Sequence, residues 1–138
     1  MRKRSLSREF ALQILYQIDI THDDYEASIA NFWQNPEREV TEEEVKDFTA
    51  QLVSGVLDNL KAIDTKISQY AANWQLERMA VIDRNILRMS CCELIFRKDI
   101  PPKVSINEAV ELAKKYSGSE AGKFVNAILD KIKLENES

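Results

Sequence analysis

The chain has 138 residues, of which 44% are hydrophobic and 30% are charged, and its formal net charge at pH 7 is −4. This length allows one domain, or two small subdomains that share a core, without a disulfide framework. No apolar stretch approaches the roughly 20 residues that span a bilayer, and the charged N-terminus lacks the apolar segment of a signal peptide. We therefore expect a cytoplasmic protein without a membrane partner.

The charge is distributed unevenly along the chain. Residues 1–8 contain four cations and no acid, whereas the rest of the chain holds 15 cations against 23 acids. A basic arm, residues 1–7, on an acidic body favours selective contact with phosphates over indiscriminate adhesion to nucleic acid. A solvated terminus without a ligand explains the same pattern equally well.

Apolar residues recur at the helical period of 3.6 residues in nearly every long segment, and no strand alternation persists. With only three glycines and three prolines, the chain is predicted to be all-α. The first helix should run from about Ser7 to Ile20 and bury one apolar side. This side consists of Phe10, Ala11, Ile14, Leu15 and Ile18.

The first helix also has a face that an ordinary core element does not need. At about 100° per residue, Arg8, Gln13 and Tyr16 fall outside the apolar stripe. A guanidinium, an amide and a phenol ring near a helix N-terminus can contact phosphate and stack on a base. The alternative is a surface helix in which Tyr16 packs against a neighbour and leaves its hydroxyl exposed.

The middle of the chain carries further signals of helix starts and stops. A short second helix containing Phe32 should end before Pro36. Thr41 to Glu44 form a capping-box pattern, which predicts the start of a long third helix. The apolar pattern shifts near Leu60, so we expect a break there before a fourth helix.

A mostly buried helix is predicted from Met79 to Phe96, because its apolar residues occupy more than one face. Two prolines, Pro101 and Pro102, should end this segment. Its adjacent cysteines, at residues 91 and 92, would point about 100° apart and cannot readily bridge each other. We predict a central helix with two reduced cysteines that pack in the interior.

The last third of the chain should form two more helices. Ser105 to Glu108 are a second capping-box pattern, which predicts a helix start at Ser105. Gly118 should end that helix, and Ser119 can cap the last one. The polar tail, residues 135–138, is expected to be frayed.

The last predicted helix carries a cluster of Lys123, Phe124 and Asn126. Phe124 and Val125 point about 100° apart, so Phe124 should lie at the edge of the core stripe and offer its ring to an unstacked base. Asn126 would then read a base edge, and Lys123 would contact a phosphate. A core position for Phe124 is the alternative.

Signals of catalysis and of cofactor binding are missing from the sequence. His22 is the only histidine, so a Ser-His or Cys-His dyad would have to use it, next to Asp23 and Asp24 in an expected loop. No glycine-rich phosphate loop, zinc-protease motif or spaced Cys/His set occurs. We therefore predict a protein that is not an enzyme and has no cofactor or metal.

Four sequence blocks resemble the NusB family of bacterial transcription antitermination factors, in the family's order. They are Arg8-Glu-Phe-Ala-Leu-Gln-Ile-Leu-Tyr16, Asp83-Arg-Asn-Ile-Leu-Arg88 with Glu93-Leu94, Pro102 to Lys114, and Lys123-Phe-Val-Asn126. The resemblance implies an all-α fold of seven helices in two small helical bundles, which form one RNA-binding domain over residues 1–138. It also implies a role in processive antitermination, particularly of ribosomal RNA operons.

The resemblance further implies that the chain binds the single-stranded boxA element of nascent RNA together with NusE, a protein of the small ribosomal subunit, in the antitermination complex of RNA polymerase. It leaves open whether a homodimer covers the RNA face. The acidic strip from Glu77 to Asp83 is the expected place for NusE. The positions expected to meet RNA are Lys3, Arg4, Arg8, Gln13, Tyr16, Tyr70, Arg88, Lys123, Phe124 and Asn126.

Two alternatives come from other classes of protein. A NusB-like domain also begins some ribosomal RNA cytosine methyltransferases, but this chain ends before a cofactor-binding domain could follow, so we expect a stand-alone factor. A purely protein-binding helical adaptor would bind NusE without binding RNA.

Overall fold

The structure is a computed structural model that describes residues 2–37, 42–71 and 74–137. Seven α-helices contain most of these residues, and no β-strand occurs among them. The prediction of an all-α fold with seven helices is therefore confirmed. The chain divides into two compact units, Met1–Asp58 and Asn59–Ser138. None of the described helices combines the length and the apolar character that a membrane span requires.

The first unit contains three helices, α1 (Lys3–Thr21), α2 (Tyr25–Trp33) and α3 (Glu43–Asp58). Helix α1 begins at Lys3, four residues before the predicted start at Ser7. Ser7 lies inside the helix, where its hydroxyl donates to the Val45 carbonyl at 2.8 Å instead of capping the helix end. From Lys3 onward, the basic arm is therefore the start of a helix that is held against α3.

A short connection joins α1 to α2. His22 ends α1 in the left-handed conformation, with φ 61°, and its N–H donates to the Ile18 carbonyl. The Asp24 carboxylate accepts a hydrogen bond from the Ala27 N–H at 3.1 Å and caps α2. The second helix ends at Trp33, before Pro36 as predicted.

The predicted apolar side of α1 is buried except at its first member. Phe10 is half-buried and packs edge-to-face against the rings of Phe32 and Trp33, at centroid distances of 5.5 Å. Ala11, Ile14, Leu15 and Ile18 are buried.

Thr41, the first residue of the capping box predicted before α3, lies outside the described residues.

The second unit contains a short 3-10 turn (Leu76–Arg78) and four helices, α4 (Leu60–Tyr70), α5 (Val81–Phe96), α6 (Pro102–Ser117) and α7 (Ser119–Asn136). The break that was predicted near Leu60 is found at Asn59. Helix α5 packs against α4, α6 and α7, and more than half of its residues are buried. The prediction of a central, mostly buried helix is confirmed within this unit.

Two predicted helix caps in the second unit are wrong. Helix α6 begins at Pro102, because a proline ring presets a helical φ and its missing N–H is not needed in the first turn. Ser105 therefore lies inside the helix, where its hydroxyl donates to the buried Glu93 carboxylate at 2.8 Å. Gly118 ends α6 with φ 100°, as predicted, but it also takes the N-cap position of α7, which begins at Ser119 without a side-chain cap.

The C-terminal tail is more ordered than predicted. Helix α7 continues to Asn136, although fraying was expected from residue 135. The Glu135 carboxylate accepts hydrogen bonds from the Lys66 ammonium at 3.0 Å, and the Asn136 amide donates to the Leu94 carbonyl at 3.0 Å. These contacts extend the helix beyond its last apolar residue.

Candidate functional site

The first turns of α1 are attached to the start of α3 by a buried network. The Ser7 and Thr49 hydroxyls both donate to the Val45 carbonyl, at 2.8 and 2.7 Å. The Ser7 bond joins α1 to α3, whereas the Thr49 bond lies within α3 and further satisfies the same buried carbonyl. The basic first turn of α1 is therefore presented in a defined orientation.

Arg4 and Arg8 lie over the same aromatic ring, that of Phe48 in α3. Their guanidinium carbons are 4.5 and 5.4 Å from the ring centroid, within the range of a cation–π attraction. Arg4 is exposed, whereas Arg8 is only 2% exposed. Contrary to the prediction, Arg8 belongs to the packed side of α1, because the ring of Phe48 provides an interior surface for its guanidinium.

We expect Arg8→Ala to lower the free energy of unfolding by about 2 kcal/mol, because it removes a desolvated cation–π contact and buried methylenes. Arg4→Ala is the matched control, since it removes the exposed cation from the same ring and should change stability by less than about 1 kcal/mol. Chemical denaturation of both variants measures the difference. Equal stabilities would contradict a packing role for Arg8.

Two further predicted residues are exposed on α1. Gln13 and Tyr16 are three residues apart and therefore neighbours on the helix surface, and Tyr16 is 41% exposed. Leu12, next to Gln13 in the sequence, is fully buried although it lies outside the predicted apolar stripe, so the packed side of α1 is wider than that stripe. The exposed members of the predicted set on this helix, called the α1 strip below, are Lys3, Arg4, Gln13 and Tyr16. They follow the length of the helix without sharing one face, since Arg4 lies about 180° around it from Gln13.

Phe124 lies in a cleft of the second unit. Its ring meets that of Trp74 edge-to-face, with centroids 5.8 Å apart and planes at 70°. The cleft, called the aromatic cleft below, has a volume of about 370 Å³. Its apolar lining includes Trp74, Met79 and Phe124, and its polar lining includes Arg78, Asp83 and Glu120. The two rings suit a flat ligand such as a nucleobase, and Arg78 can meet a phosphate, whereas Asp83 and Glu120 leave the lining acidic on balance.

The sequence analysis did not identify Trp74 as a site residue. This side chain is 58% exposed, and Trp74 itself lies outside the helices, two residues before the 3-10 turn. The sequence did contain a signal, because Trp74 is a large aromatic residue that belongs to none of the predicted apolar helix faces. Such a residue has no helix face to fill, so exposure for a ligand is a reasonable expectation.

The predicted acidic strip is divided between two clefts. Asp83 lies in the wall of the aromatic cleft, in the first turn of α5, and accepts a hydrogen bond from the Ser117 hydroxyl at 2.7 Å. Glu77 lines a separate cleft of about 500 Å³ together with Arg84 and Arg88. Asp83 thus shares its cleft with Phe124, although the two were predicted to serve different partners.

Arg88 is engaged within its own unit. Its guanidinium donates twice to the Asp64 carboxylate, at 2.8 and 3.0 Å, and its side chain is 12% exposed. A bidentate, partly desolvated ion pair of this kind requires a specific geometry of both side chains. Arg88 therefore holds α5 against α4, and a direct contact with RNA would require this pair to open.

Tyr70 and Glu135 form another internal pair. A hydrogen bond to the Glu135 carboxylate raises the pKa of Tyr70. The hydrogen bonds from Lys66 lower the pKa of Glu135. The hydroxyl of Tyr70 is thus used between α4 and α7, which leaves only part of its ring for an external partner.

Lys123 and Asn126 are exposed on α7 but do not share a side with Phe124. The Lys123 ammonium lies 3.5 Å from the Glu120 carboxylate. At 3.6 residues per turn, Asn126 lies roughly 160° around the helix from Phe124, so the two cannot grip the same base. The structure therefore joins Phe124 to Trp74 and separates it from Asn126.

The two cysteines are free and buried, as predicted. Burial raises the pKa of Cys91 to about 12 and that of Cys92 to about 11. Thiols of this kind are poor nucleophiles. In the part of the chain that the structure describes, no group of three or more His, Cys, Asp or Glu residues is arranged to hold a metal ion.

Comparison with known proteins gives one consistent result. The family model described as "NusB family" matches residues 5–133. The transcription antitermination protein NusB of Anaeromyxobacter dehalogenans (strain 2CP-1 / ATCC BAA-258) is 45% identical over 130 residues, which are 94% of this chain and 89% of that protein.

Two solved structures are similar over almost the whole chain. NusB of T. maritima has a TM-score of 0.87 and 37% identity, and the match covers 98% of this chain and 92% of that chain. A structure of the antitermination factors NusB and NusE in complex with double-stranded RNA has a TM-score of 0.88 and 28% identity, and the match covers 98% of both chains.

Proposed function

The chain belongs to the NusB family, and from this premise we propose that it is a transcription antitermination factor that binds RNA together with NusE. The observation that carries the proposal is the similarity, over 98% of both chains, to the complex of NusB and NusE with RNA. The relatives are named for antitermination, which is a regulatory function. The chain is accordingly not an enzyme.

The proposed RNA is a boxA-type single-stranded element of nascent ribosomal transcripts. The α1 strip supports this choice, because it places the cations Lys3 and Arg4 on the same helix as the exposed ring of Tyr16. Cations neutralise phosphates in any RNA, whereas an exposed ring favours bases that are free to unstack. Gln13, beside Tyr16, offers both a donor and an acceptor to a base edge.

The aromatic cleft is the proposed second contact with RNA. Phe124 and Trp74 line it in edge-to-face contact, and Arg78 supplies a cation to the same lining. A base that stacks on the exposed side of this ring pair would gain affinity, and its phosphate would meet the guanidinium. Lys123 and Asn126 would then contact RNA from another side of α7.

NusE is proposed to bind the acidic residues Glu77 and Asp83. Residues 1–8 are basic and the rest of the chain is acidic. One chain can therefore attract a basic ribosomal protein to its acidic surface while its basic start contacts RNA. Binding of NusE would bring the protein into the antitermination complex of RNA polymerase. The proposed location is therefore the cytoplasm. A homodimer that covers the RNA face would oppose RNA binding.

Titration of labelled RNA by fluorescence anisotropy tests the proposal. We expect the purified protein to bind a boxA-containing single strand more tightly than a scrambled strand, and NusE to strengthen the boxA complex. The oligomeric state is measured in the same samples. Binding of NusE with no RNA binding under any condition would replace the proposal with a protein-binding adaptor.

Tyr16→Ala is expected to weaken boxA RNA binding by about 1–3 kcal/mol, because it removes a stacking surface without removing a charge. The salt dependence of binding should stay as steep as in the unsubstituted protein. Tyr116→Ala is the matched control, because Tyr116 is 40% exposed, close to the 41% of Tyr16, but lies on α6 outside the proposed site. If both variants bind boxA RNA with the same affinity, Tyr16 is not a stacking residue.

A further inference from the structure

Lys3 is paired with two carboxylates of its own unit. Its ammonium lies 3.0 Å from the Glu42 carboxylate and also contacts that of Glu44. The three side chains are each more than half exposed. One of the two cations of the α1 strip is thus already paired with anionic groups from the start of α3.

This arrangement is held in place by the rest of the interface between α1 and α3. The Ser7 hydroxyl donates to the Val45 carbonyl one residue after Glu44, and the guanidinium of Arg4 lies over the ring of Phe48. Because these contacts fix the first turn of α1 beside the start of α3, the carboxylates remain within reach of Lys3. The proximity is a property of the packing and not of one flexible side chain.

We propose that Glu42 and Glu44 are intramolecular competitors of RNA, which occupy Lys3 in the free protein and must release it before a phosphate can bind there. The inference rests on the proposed function, since it concerns the strength of RNA binding at the α1 strip. A phosphate gains less at Lys3 when two carboxylates must first be displaced. Exposed ion pairs are weak enough to be exchanged, so the competition lowers affinity without preventing binding.

The competition for Lys3 lowers the affinity of the protein for any RNA strand, whatever its sequence. Electrostatic contact with phosphates supplies most of the affinity for non-target strands. Weakening one such contact lowers the occupancy of every strand, and a target that also gains stacking at Tyr16 and in the aromatic cleft can still be retained. The acidic start of α3 therefore lowers the fraction of the protein that is bound to RNA lacking the target sequence.

Glu43 provides a matched control for the test. It lies between the two competitors in the first turn of α3, but Lys3 is paired with its neighbours. Glu43→Gln and Glu44→Gln therefore make the same change in net charge at the same helix end. Any difference between them reports the contact with Lys3.

The experiment measures the affinities of Glu44→Gln and Glu43→Gln for a boxA-containing single strand and for a scrambled strand, at several salt concentrations. We expect Glu44→Gln to bind both strands roughly two- to fivefold more tightly than Glu43→Gln, which is the size of an exposed ion pair. The salt dependence of Glu44→Gln should also be steeper, by up to about 0.7 in the slope of log K against log salt concentration, because only Glu42 then still competes with phosphate for Lys3.

A double-mutant cycle with Lys3→Gln completes the test. In that background, Glu44→Gln and Glu43→Gln should bind RNA equally, because the contested cation is gone. If the two variants already bind equally with Lys3 present, or if their difference survives Lys3→Gln, the competition is refuted while RNA binding itself stands. If the unsubstituted protein and every variant fail to bind either strand, the proposed function is refuted and the competition with it.

Discussion

Ile14→Ala should lower the free energy of unfolding by about 2–5 kcal/mol, the range observed when a large buried side chain is truncated to alanine. Ile14 is 1% exposed on the packed side of α1, so the lost methyl and methylene groups leave a cavity that its rigid neighbours fill only in part. Urea denaturation, followed by helical circular dichroism, measures the change. Binding of RNA should fall only in proportion to the folded fraction.

Gln13→Ala is the control for this prediction, because Gln13 is the adjacent residue but lies on the exposed α1 strip. Its stability should stay within about 0.5 kcal/mol of that of the unsubstituted protein. A variant of Ile14 that melts like the unsubstituted protein would show that the two faces of α1 have been assigned wrongly. Together the two substitutions separate the packed side of this helix from its proposed binding side.

The periodicity of apolar residues was sufficient to predict most of the fold. Ala11, Ile14 and Leu15 are buried where the period places them, and the break near Leu60 is present. Periodicity considers only the polarity of each side chain, so it could not reveal that Arg8 is buried. That burial depends on Phe48, which lies on another helix and whose ring accepts the guanidinium.

The helix starts show a second limit of local patterns. Ser105 and Glu108 have the spacing of a capping box, but Pro102 begins the helix three residues earlier. The hydroxyl of Ser105 instead satisfies the buried carboxylate of Glu93 on α5. A capping box satisfies free amide groups, and Ser105 already lies within a helix, so a tertiary contact determines its role.

The candidate site was predictable in composition and only partly in arrangement. Phe124 and Asp83 were identified separately, from the motif of the last helix and from the acidic strip. Their common position in the aromatic cleft follows from the packing of α5 against α7, which no local pattern contains. Trp74 completes that cleft from a segment without periodicity.

The shared cleft makes charge reversal at Asp83 the most informative substitution for the proposed partners. Asp83→Lys should weaken NusE binding by about 3 kcal/mol, or roughly a hundredfold, because a like charge would then face a basic partner. The affinity of the protein alone for boxA RNA should stay equal or rise slightly, since the new cation stands beside Phe124. By linkage, NusE would then no longer strengthen the RNA complex.

Two controls separate the charge of Asp83 from its hydrogen bond with Ser117. Asp83→Asn removes the charge and keeps an acceptor for the Ser117 hydroxyl, which lies 2.7 Å from the carboxylate, so NusE binding should weaken but less than in Asp83→Lys. Ser117→Ala removes the hydrogen bond and keeps the charge, so NusE binding should be unchanged. Calorimetric titrations with NusE and with RNA separately decide between the outcomes. Unaltered NusE binding in Asp83→Lys would move the partner surface elsewhere, and loss of both activities with the fold intact would mean that NusE and RNA depend on the same cleft.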